Sequence, residues 1–148
     1  MLRLEKGHII VGQDTDALTD PIAADMGWIV KLDKTDFLGQ RAIGRVTEKG
    51  TKQRLVGFKM AEAGGVPEEG LQIVRANPET PRGWEIIGWV TSSHFSPTLG
   101  EAIGLCWLPA ELAAQAGARF TIWREGKLVA GMVHHGAFYD PEGGRLRG

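Results

Sequence analysis

Glu5 is the acid of this sequence whose setting most invites chemistry. It lies in "LRLEKGHIIV" (2–11), between Arg3 and Lys6 and just ahead of a β-branched run. A carboxylate accepts two hydrogen bonds side by side. It therefore suits a planar heterocycle that presents adjacent N–H and NH₂ donors, as pterins and guanines do. The competing reading is a surface ion pair with Arg3 or Lys6, worth little. Asp14 and Asp16 sit two apart in "GQDTD" and hint at a calcium loop, but no glycine or terminal glutamate stands in register for one. Asx-turn and capping roles fit that pair better.

The remaining polar candidates carry less. His134 and His135 are adjacent, so on a strand they point to opposite faces and cannot easily share one ion. His8 and His94 stand alone, there is no HxH or HExxH, and no metal site is expected. "VTSSHFSPTLG" (90–100) gathers Ser92, Ser93, His94 and Ser96, but in a strand–turn–strand context rather than the strained strand–helix turn of a nucleophilic serine. Those hydroxyls are expected to bond nearby backbone in a hairpin connection. There is no GxGxxG and no Walker pattern. The single cysteine, Cys106, lies in "AIGLCWL", so no internal disulfide is possible and a buried, inert thiol is expected.

The elements that must position these side chains fall into two textures. "GHIIV" (7–11) reads as a strand, and "GQDTDALTDP" (12–21) as a loop. Asp20-Pro21 can open a short helix, "PIAADMG". Trp28-Ile29-Val30 reads extended. "KTDFLGQRAIGRVTEKG" (34–50) is the helix of the first third, capped by Thr35 or Asp36 and ended by Gly50. Beyond residue 50 come six short runs rich in β-branched and aromatic residues: 54–60, 71–75, 84–93, 102–108, 118–124 and 127–136. Turn signals separate them: "GGVPEEG", "ANPETPRG", "FSPTLG" and "REGK". One helical turn or two, "PAELAAQAG" (109–117), interrupts them. Such spacing predicts an antiparallel sandwich or barrel over 51–140, with a mixed lead-in at 1–50 and a polar tail at 141–148.

Bulk composition narrows the classes. The 148 residues are enough for one domain with a real core, and 43% hydrophobic with 24% charged residues is ordinary for a globular chain. The 21 glycines favour turn-rich β structure. A net charge of −1 calls for neither nucleic acid nor an anionic membrane surface. No run reaches the roughly 18 apolar residues of a membrane span, and a cytoplasmic location is the default expectation.

The motifs together resemble the C-terminal part of the glycine-cleavage T-protein (aminomethyltransferase) family, nearest to the C-terminal region of the heterotetrameric sarcosine oxidase alpha subunit. The matching stretches are "LRLEKGHIIVGQDTD", "GWIVKLDKTDFLGQRAI", "RLVGF", "VPEEGLQIV", "IGWVTSSHFSPTLGEAIGL" and "FYDPEGGRLR", in family order. The resemblance implies a mainly β fold: a six-stranded antiparallel Greek-key barrel at 51–140, preceded by a short α/β remnant of a folate-binding core at 1–50. It implies tetrahydrofolate as cofactor. The one-carbon donor would be an aminomethyl group on lipoyl protein or the imine left by sarcosine oxidation. Glu5 falls on the family glutamate that contacts the pterin. Lys34, or else Lys31, falls where basic residues approach the glutamate tail of folate. Tyr139 and Arg145 belong to a tail that folds back towards the pocket in some members. The family's catalytic acid lies upstream of the matched region, so no catalytic residue is expected among these 148. The chain is then expected to be a detached C-terminal part or split subunit, without turnover alone, whose protein partner carries the missing folate core. The alternative is a non-catalytic barrel module that self-associates through an orphaned strand at 7–11. The first reading predicts an exposed apolar patch around Ile9, Ile10, Val11 and Trp28, where the missing core would pack.

Overall fold

A computed structural model describes residues 1–61, 65–80 and 83–147, the side chain of Leu146 excepted. Six antiparallel strands close into a barrel: β1 (Gln53–Met60), β2 (Gln72–Ala76), β3 (Trp84–Ser96), β4 (Glu101–Pro109), β5 (Arg119–Arg124) and β6 (Lys127–His134). The order around the barrel is β1-β4-β3-β2-β5-β6. The run β2-β3-β4 is joined by successive reversals, and β1 lies beside β4 after a long connection, which is a Greek key. The six predicted runs therefore coincide with the six strands. The turn signals "GGVPEEG" and "ANPETPRG" lie partly outside the described residues, at Gly64 and at Pro81 and Arg82, as does Gly148 of the tail.

Alternation along the strands explains the closure. Val56, Phe58 and Met60 of β1 point inward with Val90, Cys106, Leu108, Phe120, Ile122 and Val133 to form the barrel core. Phe58 and Phe120 meet edge to face, with ring centroids 5.8 Å apart. Each ring covers a glycine on a neighbouring strand. A Cβ on Gly104 would stand 2.5 Å from Phe58, and one on Gly131 would stand 2.5 Å from Phe120. The glycines thus make room for the two largest core side chains. Cys106 is buried in this core as expected, and burial pushes its thiol pKa well up.

β4 is buried on both faces. Its even-numbered side chains fill the barrel. Ile103, Leu105 and Trp107 point outward and form a second cluster with Leu55 of β1, Leu4 and Ala23 of the N-terminal segment, and Phe138. The N-terminal segment is thus a cover laid over the outside of β1 and β4. Backbone pairing helps to hold it, since the Leu55 N–H donates to the Ala23 carbonyl at 2.8 Å.

That cover is less regular than the sequence predicts. Residues 7–11 are not a strand: they run without regular structure, and Val11 makes one isolated bridge, to Thr15. The run "HIIV" lacks the alternation of a half-buried strand. Ile9 packs on the second cluster while Ile10 and Val11 face outward. A single turn, α1 (Leu2–Glu5), precedes it. Asp20 does cap the following turn, accepting from the Ile22 and Ala23 amides at 2.9 and 2.8 Å, but no helix continues. Gly27–Ile29 is a 3-10 turn rather than extended chain. The long helix, α2 (Gln40–Lys49), begins at Gly39 in a left-handed conformation, later than Thr35 or Asp36. It ends at Gly50 as predicted. Pro109 precedes the short α3 (Ala110–Ala113), and α4 (Gly144–Arg147) closes the described tail. Among the described residues no helix is long and apolar enough to cross a membrane.

Candidate functional site

The N-terminal segment meets the barrel along a polar seam whose barrel side is β3. A bulge between Val90 and Ser92, opposite Leu105 and Cys106 of β4, places Thr91 as an extra residue. Neighbouring strand residues ordinarily face opposite ways. The bulge breaks that alternation and turns two consecutive hydroxyls to one side. Thr91 Oγ1 and Ser92 Oγ both donate to Asp14 Oδ1, at 2.6 and 2.5 Å. The other oxygen of Asp14 accepts from the Ile10 amide at 2.8 Å and from Arg3 Nη1 at 2.7 Å. Arg3 Nη2 closes the ring by donating to Ser92 Oγ at 2.6 Å. Trp107 Nε1 donates to the Asp14 carbonyl at 2.9 Å.

Asp14 is 1% exposed and every acceptor direction around it is used. Burial pushes its pKa up, but the hydroxyls of Ser92 and Thr91, the Ile10 amide and the Arg3 guanidinium outweigh that and hold it below its ordinary value of 3.8. This corrects the reading of Asp14 as a turn-closing residue. Asp16 does fill such a role, accepting from the Leu18 amide and from Thr19 Oγ1. Asp14 instead ties the cover to the barrel. Its partners on β3 and β4 stand 77 to 93 residues away in sequence, so no local pattern signals it.

Glu5 ends α1 further along the same seam and is 4% exposed. Neither cation beside it in sequence is its partner. Arg3 pairs with Asp14, and Lys6 Nζ pairs with Asp140 Oδ2 at 3.0 Å. The surface ion-pair reading of Glu5 is therefore overturned. Its Oε1 accepts from Ser96 Oγ at 2.5 Å, and among the described residues no donor reaches Oε2. Ser96 also departs from expectation. Its hydroxyl accepts the nearby Leu99 amide at 3.1 Å, as foreseen, but it donates to a side chain 91 residues away.

The tail joins the same place. The Tyr139 amide donates to the Glu5 carbonyl at 2.9 Å, and the Arg145 guanidinium stands 5.6 Å from the centre of the Tyr139 ring. Glu5, Tyr139 and Arg145 are thus neighbours. Lys34 and Lys31 lie on the exposed loop ahead of α2, and no contact among the described residues joins either to that trio. The histidines are dispersed. His134 stacks on Phe138 with centroids 4.5 Å apart, and burial lowers its pKa. His135 Nε2 lies 2.7 Å from the Ala113 carbonyl, and His8 and His94 are exposed. Among the described residues no His, Cys, Asp or Glu cluster could hold a metal ion.

Two clefts flank the seam. One, of about 730 Å³, is lined by Asp14, Lys52, Trp89 and Trp107 among others. The other, of about 510 Å³, is lined by Lys6, His8, Trp28 and His134 among others. Glu5 lines neither. The cover also leaves large apolar side chains in the open: Ile10, Leu18, Leu38, Val11 at 81% and Trp28 at 76% exposed. Ile9 is half-buried, so of the residues expected to be open only Ile10, Val11 and Trp28 are.

Comparison with known proteins follows the barrel and the seam together. The glycine cleavage T-protein C-terminal barrel domain matches residues 53–140. An aminomethyltransferase of Halothermothrix orenii is 39% identical over 132 residues, 89% of this chain and 34% of that one. One of Rubrobacter xylanophilus is 40% identical over 149 residues, 97% of this chain and 37% of that one. Among solved structures, the glycine cleavage system aminomethyltransferase T of Bartonella henselae superposes with a TM-score of 0.82 at 27% identity, over 95% of this chain and 37% of that one. The chain thus spans about a third of the length of the curated relatives it matches. A closed six-stranded barrel, with the family match running from the first residue of β1 to beyond β6, makes this chain a member of the glycine cleavage T-protein C-terminal barrel family.

Proposed function

We propose that this chain serves tetrahydrofolate-dependent aminomethyl transfer, supplying the Glu5 carboxylate and the barrel to a pocket completed by further polypeptide. The observation that carries the reading is Glu5 itself. Glu5 has no cation beside it, and its carboxylate takes one protein donor, so Oε2 is left for a ligand's donors. Oε1 keeps a second lone-pair direction beyond Ser96, so the group can still accept two neighbouring N–H bonds from a pterin edge. When bound, tetrahydrofolate supplies the nitrogens that take up the one-carbon unit. The part of this chain is to hold the ring by that edge and, through Tyr139 and Arg145, to close one side of the site. Lys34 or Lys31 would meet the glutamate tail only from the rim. Whether the donor is an aminomethyl group on lipoyl protein or the imine left by sarcosine oxidation is set by the rest of the pocket. That Glu5 lines neither flanking cleft fits a pocket with a missing wall.

The exposed face around Val11, Leu18 and Trp28 is the surface we assign to that further polypeptide. A homodimer through the same face is the second reading, favoured by the same exposure. With no strand at 7–11, it would not form by edge pairing.

Calorimetric titration of the chain with tetrahydrofolate, beside Glu5→Ala, tests the proposal. Binding by the natural chain that weakens at least tenfold in the variant supports it, since a charge-assisted bond pair is worth that much. Equal binding by both overturns the assignment of a pterin contact to Glu5, and none at millimolar ligand overturns any pterin binding by this chain without the further polypeptide. Light scattering on the same sample separates a monomer from the homodimer reading.

A further inference from the structure

We propose that Ser96, at the end of β3, is a positioning residue that aims the Glu5 carboxylate; this rests on the reading of Glu5 as a ligand contact. The geometry leaves the Ser96 hydroxyl one role. Its oxygen already accepts the Leu99 amide at 3.1 Å, and its only proton is directed to Glu5 Oε1 at 2.5 Å. Ser96 is 0% exposed, so water does not compete for that proton. Glu5, in contrast, sits at the end of a helix of four residues, which has little rigidity of its own. The Ser96 position is fixed from both sides. It pairs with Glu101 of β4, and the Gly100 amide donates to the Ser96 carbonyl at 2.8 Å. The barrel thus dictates where Oε1 points, and with it the direction in which the free Oε2 faces. On this view the barrel, through Ser96, orients the contact and is not merely a neighbouring domain.

The test is a double-mutant cycle read by tetrahydrofolate titration, with Ser96→Ala, Glu5→Ala and the pair. Positioning predicts about tenfold weaker binding in Ser96→Ala and no further loss when Ser96→Ala is added to Glu5→Ala. An unchanged affinity in Ser96→Ala, or the same added loss in both backgrounds, marks a role confined to packing and overturns the inference while leaving Glu5 in place. Unchanged binding in Glu5→Ala alone sinks the underlying reading and the inference with it. A second measurement needs no ligand. The Glu5 carboxyl carbon of the natural chain, observed by ¹³C NMR, should show a deuterium isotope shift from the Ser96 hydroxyl. Absence of that shift overturns the proposal, and its loss in Ser96→Ala completes the support.

Discussion

Asp14 and Glu5 are both buried acids of the same cover segment, and both face serine hydroxyls of β3. They are provisioned differently. Asp14 receives two hydroxyls, an amide and a guanidinium, and its carbonyl receives an indole N–H. The Glu5 carboxylate receives one hydroxyl, and its carbonyl receives the Tyr139 amide. A saturated carboxylate has nothing left to offer a ligand and acts as a fastener. A carboxylate satisfied on one oxygen is a fastener only in part, and its other oxygen keeps its capacity to accept. The number of donors already spent on each acid, more than the depth of burial, separates a fastener from a candidate ligand contact along this seam.

The largest effect that can break this contrast is on stability. Asp14→Ala strands Arg3, two hydroxyls and the Ile10 amide, and breaking such a network costs about 3–5 kcal/mol. Thermal unfolding should show a melting temperature lower by about 10 °C or more. A fall of a degree or two would mean that Asp14 is no fastener. An acid titration of stability comes next. The Asp14 carboxyl titrates below its unfolded value, so the unfolded chain takes up its proton first as pH falls. The stability Asp14 confers is therefore whole above about pH 4 and is lost as pH drops through its folded value. Asp14→Asn should flatten that acid limb in urea unfolding, and an unaltered limb would contradict the assignment. Asp140, held low chiefly by Lys6, leaves part of the slope in place. The smallest effect sharpens the other side. Glu5→Gln keeps an acceptor for Ser96 and removes the buried charge, so its melting temperature should stay within about 2 °C of the natural chain. A loss approaching that of Asp14→Ala would erase the distinction between the two acids.

The barrel was legible in the sequence because its signals are local. Alternating apolar residues and turn glycines mark each strand within a few residues of itself, and Val56, Phe58 and Met60 alternate in sequence as they do in space. The family motif singled out Glu5, and Tyr139 and Arg145 do gather beside it. The seam was not legible, because its bonds join residues about 90 positions apart. Nothing near Asp14 announces Thr91, and nothing near Thr91 announces that a bulge will turn it towards Ser92. The strand expected at 7–11 failed for a related reason. Ile9, Ile10 and Val11 suit a strand by residue type, but Ile9 packs on the outer face of β4 and the Ile10 amide is taken by Asp14 rather than by a neighbouring strand.

The two-faced burial of β4 also sets an order of events. Local hairpins can assemble β2-β3-β4 and β5-β6 early, whereas the cover must wait for an outer face to exist before it can dock. Residues 2–23 are thus placed to fold last and, by the same route in reverse, to detach first while the barrel stays closed. The acid assigned to the ligand rides on that detachable piece. Amide hydrogen exchange around Glu5 then reports opening of the cover rather than unfolding of the molecule, and any ligand or neighbour that seats on Glu5 slows it.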